Sequence, residues 1–110
     1  MGLIDSILGN SSVDTFAKVL ADDVAKRYPP ALDQDAAKRP SANRMTRIVE
    51  DVCNKAVEFQ ATHKLGWLGK AKLGNAFRWE LSAMGYQKDF VEMATEAVIV
   101  YLSRKPRQLP

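Results

Sequence analysis

The chain has 110 residues, of which 46% are apolar and 26% charged, and it carries a formal net charge of +3. That length fits one domain, and the apolar share excludes a chain disordered throughout. Cys53 is the only cysteine, which excludes an intrachain disulfide framework, and the longest apolar run, Ala97 to Leu102, is far too short to span a bilayer.

The N-terminal segment, residues 1–12, opens "MGLIDSILGN". It lacks the basic start and long apolar run of a signal peptide, so a soluble, cytoplasmic protein is expected. "MGLIDS" fits the permissive acylation pattern through Gly2 and Ser6. A short amphipathic helix around Leu3–Leu8 that packs on the core is the plainer reading.

The first long helix is expected over Val13–Tyr28. Ser11 or Ser12 would cap it, and Asp14 suits its positive end. Val13, Phe16, Leu20 and Val24 share one face, with Ala17 and Tyr28 beside them. Asp22–Lys26 and Asp23–Arg27 stand at the i,i+4 spacing of ion pairs. Pro29 and Pro30 end the helix, and residues 29–40 read as a polar connection with one helical turn after Asp33.

The second helix is expected from Ser41 to Leu65, with Ser41 or Asn43 as its cap. Met45, Ile48, Val49, Val52, Ala56 and Phe59 recur at threes and fours, while Arg47, Asp51, Lys55 and Glu58 mark a solvated face. Gly66 is the expected C-terminal stop. The third helix runs from Gly69 or Lys70 to Met84, with Gly85 as its stop. The fourth runs from Lys88 to Arg104, before Pro106 and a tail over residues 105–110. Phe90, Met93, Ala94, Ala97, Val98 and Tyr101 form its apolar arc. The expected fold is all-α, a compact four-helix domain.

Charge is uneven along this plan. Residues 38–79 hold nine basic and three acidic groups, a net +6, whereas residues 1–37 are net negative. Both tryptophans fall in or beside the basic stretch "HKLGWLGKAKLGNAFRWELSAMGY", residues 63–86, which also holds four glycines. Such a stretch permits a nucleic-acid platform built from Arg44, Arg47, Lys64, Trp67, Lys70, Lys72 and Arg78, with phosphates on the cations and bases on the rings. The plainer expectation is that the tryptophans anchor the core and the lysines form a solvated rim. "GKAKLGN" lacks the Lys and Ser/Thr of a phosphate loop and follows a helix, and "GWLG" has no accompanying sheet. Gly74, inside the third helix, should mark a close approach of another backbone or a bend.

Catalytic patterns are sparse. His63 is the only histidine and falls on the apolar face of the second helix, where a core or interface role is expected. Cys53 lies ten residues earlier, about 15 Å along a helix, too far for a thiolate–imidazole pair. No histidine pair, paired cysteine or nucleophile elbow is present, so neither a metal nor another cofactor is expected. Glu80 has no cation three or four residues away on its own helix, which leaves an enzyme site assembled around Glu80 and His63 as the weakest reading.

The third helix is apolar on two sides. Leu73, Phe77, Leu81 and Met84 form one arc, and Leu68, Ala76, Trp79 and Ala83 the other. One arc faces the chain's own core. The other must be covered by the first helix or by a partner. A non-enzymatic protein-interaction or self-association module is therefore expected, with a homodimer contact at Leu68, Ala76, Trp79 and Ala83.

Overall fold

The structure is a computed structural model that describes the backbone of residues 2–104 and the side chains of residues 12–104. The acylation pattern at Gly2 and Ser6, the side chains of Leu3–Leu8 and the tail at 105–110 lie outside what is described. The described chain is all-α: α1 (Gly2–Arg27), a short α2 (Pro30–Asp33), a 3-10 turn (Ala36–Lys38), α3 (Ala42–His63), α4 (Trp67–Met84) and α5 (Lys88–Ser103).

Three helix ends differ from expectation for identifiable reasons. α1 is continuous, not a short helix followed by a capped one. Gly9, Asn10, Ser11 and Ser12 are poor helix formers, but each costs at most about 1 kcal/mol and none blocks the ladder as proline would. α3 starts as expected, with the Ser41 hydroxyl accepting from the Arg44 amide at 3.2 Å. It ends at Lys64, not at Gly66. Lys64 itself takes the left-handed position at φ 52°, and Gly66, extended at φ −77°, instead precedes the first turn of α4. α4 consequently begins two residues early, at Trp67. Gly85 is left-handed at φ 101° and closes α4 as expected.

α1 and α3 run antiparallel, as three contacts in step show. Arg27 pairs with Asp51 and Lys55 with Asp23, both at 2.5 Å, and the rings of Phe16 and Phe59 stack at 4.0 Å. These bridges replace the expected Asp23–Arg27 pair, because the facing helix brings a better-placed partner to each, and Asp22 and Lys26 form no ion pair among the described residues. α4 and α5 form a hairpin through Gly85–Gln87. α4 packs on α1 and α5, and α3 packs on α5 and α1. α3 and α4, consecutive in sequence, are not a principal packing pair.

One continuous core fills the interior. Ala17, Leu20 and Val24 of α1 meet Ile48, Val52 and Ala56 of α3, Leu73, Phe77 and Leu81 of α4, and Phe90, Ala94 and Val98 of α5. The α5 face is rotated from the expected arc. Val91, Thr95 and Leu102 are buried, whereas Met93 is exposed and Ala97 and Tyr101 are half-buried. With α3 and α4 on its two sides, α5 buries a face that sequence spacing alone places one residue away.

Candidate functional site

α4 is a helix with one side occupied. Its buried residues are Leu73, Gly74, Phe77 and Leu81. At 100° per residue these lie opposite Leu68, Lys72, Asn75, Trp79 and Ser82, all of which are exposed. A Cβ on Gly74 would stand 2.8 Å from Cγ1 of Ile99, so the glycine lets α5 close onto α4. Gly74 therefore serves packing within the chain, against a side chain of α5. The close approach expected there is present, but to a side chain and not to another backbone. That contact fixes the rotation of α4 and turns the second arc outward.

The expectation that the tryptophans anchor the core is wrong. Trp67 is 77% exposed and Trp79 73%, and Leu68 beside them is 67% exposed. Ala83 is exposed and Ala76 half-buried, so the four residues of the second arc stay on one side, and α1 covers only its edge. Trp79 stays outside because α4 has two neighbours, and both are met by the arc that holds Phe77, whereas Trp67 is the first residue of the helix. Beside Trp79 lies a cleft of about 380 Å³ between α1 and α4, lined by Asp14, Lys72, Asn75, Ala76, Trp79 and Glu80.

The basic residues do not form one track. Arg44 and Arg47 stand at the start of α3 and Lys64 at its end, about 25 Å apart along the helix axis. Lys64, Lys70, Lys72 and Arg78 belong with Trp67 and Trp79 on or beside α4. None of these six cations enters an ion pair among the described residues, whose pairs use Arg27, Lys38, Arg39, Lys55 and Lys88.

His63 is exposed, so it is not the core group that was one of its two expected settings. It sits in the last turn of α3, its ring stacked on Phe59 at 4.0 Å and its Nδ1 3.1 Å from the Phe59 carbonyl oxygen. Its cleft is shared with Phe16 and Glu58, while Glu80 lines the α1–α4 cleft, so one chain does not bring the two together. Cys53 is buried, and burial pushes its thiol up to about 11, against a smaller opposing effect of Arg104. No group of three potential metal-binding side chains is present among the described residues.

A polar cluster that sequence reasoning missed lies at the far end of the bundle. Asp33, on the short α2, is 1% exposed. Its carboxylate accepts from the Tyr28 hydroxyl at 2.6 Å and from the Gln87 amide at 2.7 Å. Arg39 donates to the Asp33 carbonyl at 2.8 and 3.1 Å and to the Gln87 side chain at 3.2 Å. The Tyr86 hydroxyl donates to the Tyr28 carbonyl, and Gln34 donates to the Gly85 carbonyl at 3.0 Å. The connection between α1 and α3 is thus latched to the α4–α5 turn. Its partners lie some fifty residues apart, and the main one on the α5 side is a backbone amide, which no side-chain pattern announces.

A cleft of about 410 Å³ opens beside this latch, between Arg39, Met45, Phe90 and Met93. Both Asp33 oxygens are engaged within the chain, which gives the cluster a structural task. The outward side of α4, with Leu68 and Trp79 uncovered, is the surface with unspent binding capacity. Comparison with protein-family models, with curated proteins and with solved structures yields no match.

Proposed function

We propose that this chain is a non-enzymatic protein-interaction module whose contact surface is the outward side of α4. The observation that carries the reading is the exposure of Leu68 and Trp79 on one side of a helix, with Trp67 uncovered at its first turn. Large aromatic rings dominate the energetics of protein contacts, and water against Trp79 and Leu68 is unfavourable unless a surface covers them. The helix itself is rigidly held, since its other side is locked by Phe77, Leu81 and the Gly74–Ile99 contact. A pre-organised surface loses little conformational entropy on docking.

The nucleic-acid reading draws on the same tryptophans. It requires a continuous basic track, and the separation of Arg44 and Arg47 from the α4 cations favours the protein reading over it.

A photoreactive side chain placed at Leu68 or Ala83, compared with one at Glu50 or Glu58 on the exposed face of α3, tests the surface. Irradiation should give protein adducts, to a second copy or to another protein, at the α4 positions and far fewer at the α3 positions. Equal labelling of both faces, or none on α4, would remove the proposal.

A further inference from the structure

The outward side of α4 has a property that its exposure alone does not imply: it complements itself. In an antiparallel pair of α4 helices related by a two-fold axis, each residue meets one whose number reflects its own across the axis. With the axis between Asn75 and Ala76, Leu68 meets Ala83, Lys72 meets Trp79 and Asn75 meets Ala76, each pair occurring twice. In the two outer pairs a long side chain lies against a small one or a cation against an aromatic ring, and the central pair is small on both sides.

We infer that the occupant of the α4 surface is a second copy of this chain, docked antiparallel about an axis between Asn75 and Ala76. This rests on the reading of α4 as the contact surface and names its partner.

Three observations support the second copy. The first is space. The cleft of about 380 Å³ beside Trp79 has Lys72, Asn75 and Ala76 in its lining, and these are the residues that the reflection sets against or beside the partner's Trp79. Each copy would insert one ring and receive one.

The second is charge. Lys72 is exposed and enters no ion pair among the described residues. Docked, it lies over the face of an indole, with Glu80 and Asp14 of that copy at the same cleft, and both contacts favour a cation. The two Lys72 side chains stand seven residues apart along the pair, about 10 Å, so they do not oppose one another. Lys70 and Arg78 project about 120° and 160° away from Ala76 and stay outside the seam.

The third is closeness. Ala83 leaves room for the Leu68 side chain opposite it, and the small Asn75–Ala76 pair lets the helices approach at the axis. The 18 residues of α4 span only about 27 Å, so the buried area falls below that of a standard interface, and association should be weak, on the order of 10 μM.

The experiment combines oligomeric state with register. Sedimentation equilibrium of the wild type should show a monomer–dimer equilibrium in the micromolar range, and Trp79→Ala should weaken it at least about tenfold. Leu68→Cys and Ala83→Cys chains are then oxidised separately and mixed. The mixture should form a disulfide-linked pair that neither variant forms alone, because like positions lie more than about 20 Å apart in this arrangement. The buried Cys53 does not compete.

A wild type that stays monomeric at about 500 μM overturns the second copy as occupant. If the photoreactive α4 positions then label a different protein, α4 remains the contact surface and only the partner is wrong. A dimer in which Leu68→Cys or Ala83→Cys links to itself, or in which no pair links, overturns the antiparallel register.

Discussion

Two buried polar residues, Asp33 and Thr95, show how differently burial can be handled. Both are 1% exposed. Asp33 has its carboxylate filled by a hydroxyl and an amide, with Arg39 3.6 Å away. Thr95 has a hydroxyl with no hydrogen-bond partner among the described residues. Removing the first should be costly and removing the second favourable, since an unpaired buried polar group is the expensive state. Asp33→Ala strands the Tyr28 hydroxyl and the Gln87 amide and removes the charge facing Arg39, and should lower stability by about 3 kcal/mol. Thr95→Val keeps the shape and deletes the orphaned hydroxyl, and should raise stability by about 1 kcal/mol. Urea unfolding followed by far-UV circular dichroism measures both. Equal effects of the same sign would mean that the Asp33 cluster is not a latch.

At the level of the helix, α3 and α4 show where local rules were followed and where they were bent. Ser41 caps α3 and Gly85 closes α4, each by the mechanism its side chain, or lack of one, allows. Between them the chain puts the left-handed turn on Lys64 although a glycine stands two residues later. A side chain in that conformation costs roughly 1 kcal/mol, and Lys64 is exposed, with no packing to lose. Lys64→Gly should therefore stabilise the fold by about 0.5–1 kcal/mol, less the extra freedom that glycine gives the unfolded chain. Thermal unfolding would detect the change, and a clear loss would show that the lysine side chain makes a contact that matters. The turn position follows from where α4 must start. Beginning α4 at Trp67 sets the phase that sends Phe77 inward and Trp79 outward.

Across the whole molecule, the Tyr28, Tyr86 and Phe90 rings tie together the ends of α1, α4 and α5, with Asp33 closing the group. Burial, with the negative Asp33 adding to it, pushes the Tyr86 hydroxyl up from the ordinary 10.0 to about 12. Burial and then the Asp33 hydrogen bond push Tyr28 higher still. Each group holds its proton more firmly in the folded than in the unfolded chain. The contribution of Tyr86 is complete below pH 10 and is lost as pH rises through about 12, and that of Tyr28 is lost at higher pH. Cys53, raised from 9.0 to about 11, starts the decline earlier, as pH passes 9. The urea midpoint should thus be insensitive to these groups at neutral pH and fall steadily from about pH 9 to 12, with Tyr86→Phe flattening the upper part. A midpoint independent of pH over that range would contradict the buried hydroxyls.

By itself the sequence determined the all-α class, the four long helices and most of the core, because spacings of three and four around Phe77, Leu20 and Ile48 are local and survive any arrangement of neighbours. It also placed Leu68, Ala76, Trp79 and Ala83 on one side of a helix. Only the tertiary structure decided whether that side was covered, since covering depends on how many helices reach α4, and α1 and α5 both meet the other arc. The same is true of the Asp23 and Arg27 bridges, whose partners come from the facing helix. Asp33 could not be read at all. Its role exists only where a connection from the first third of the chain meets a backbone amide 54 residues later, and spacing along a sequence carries no information about such a meeting.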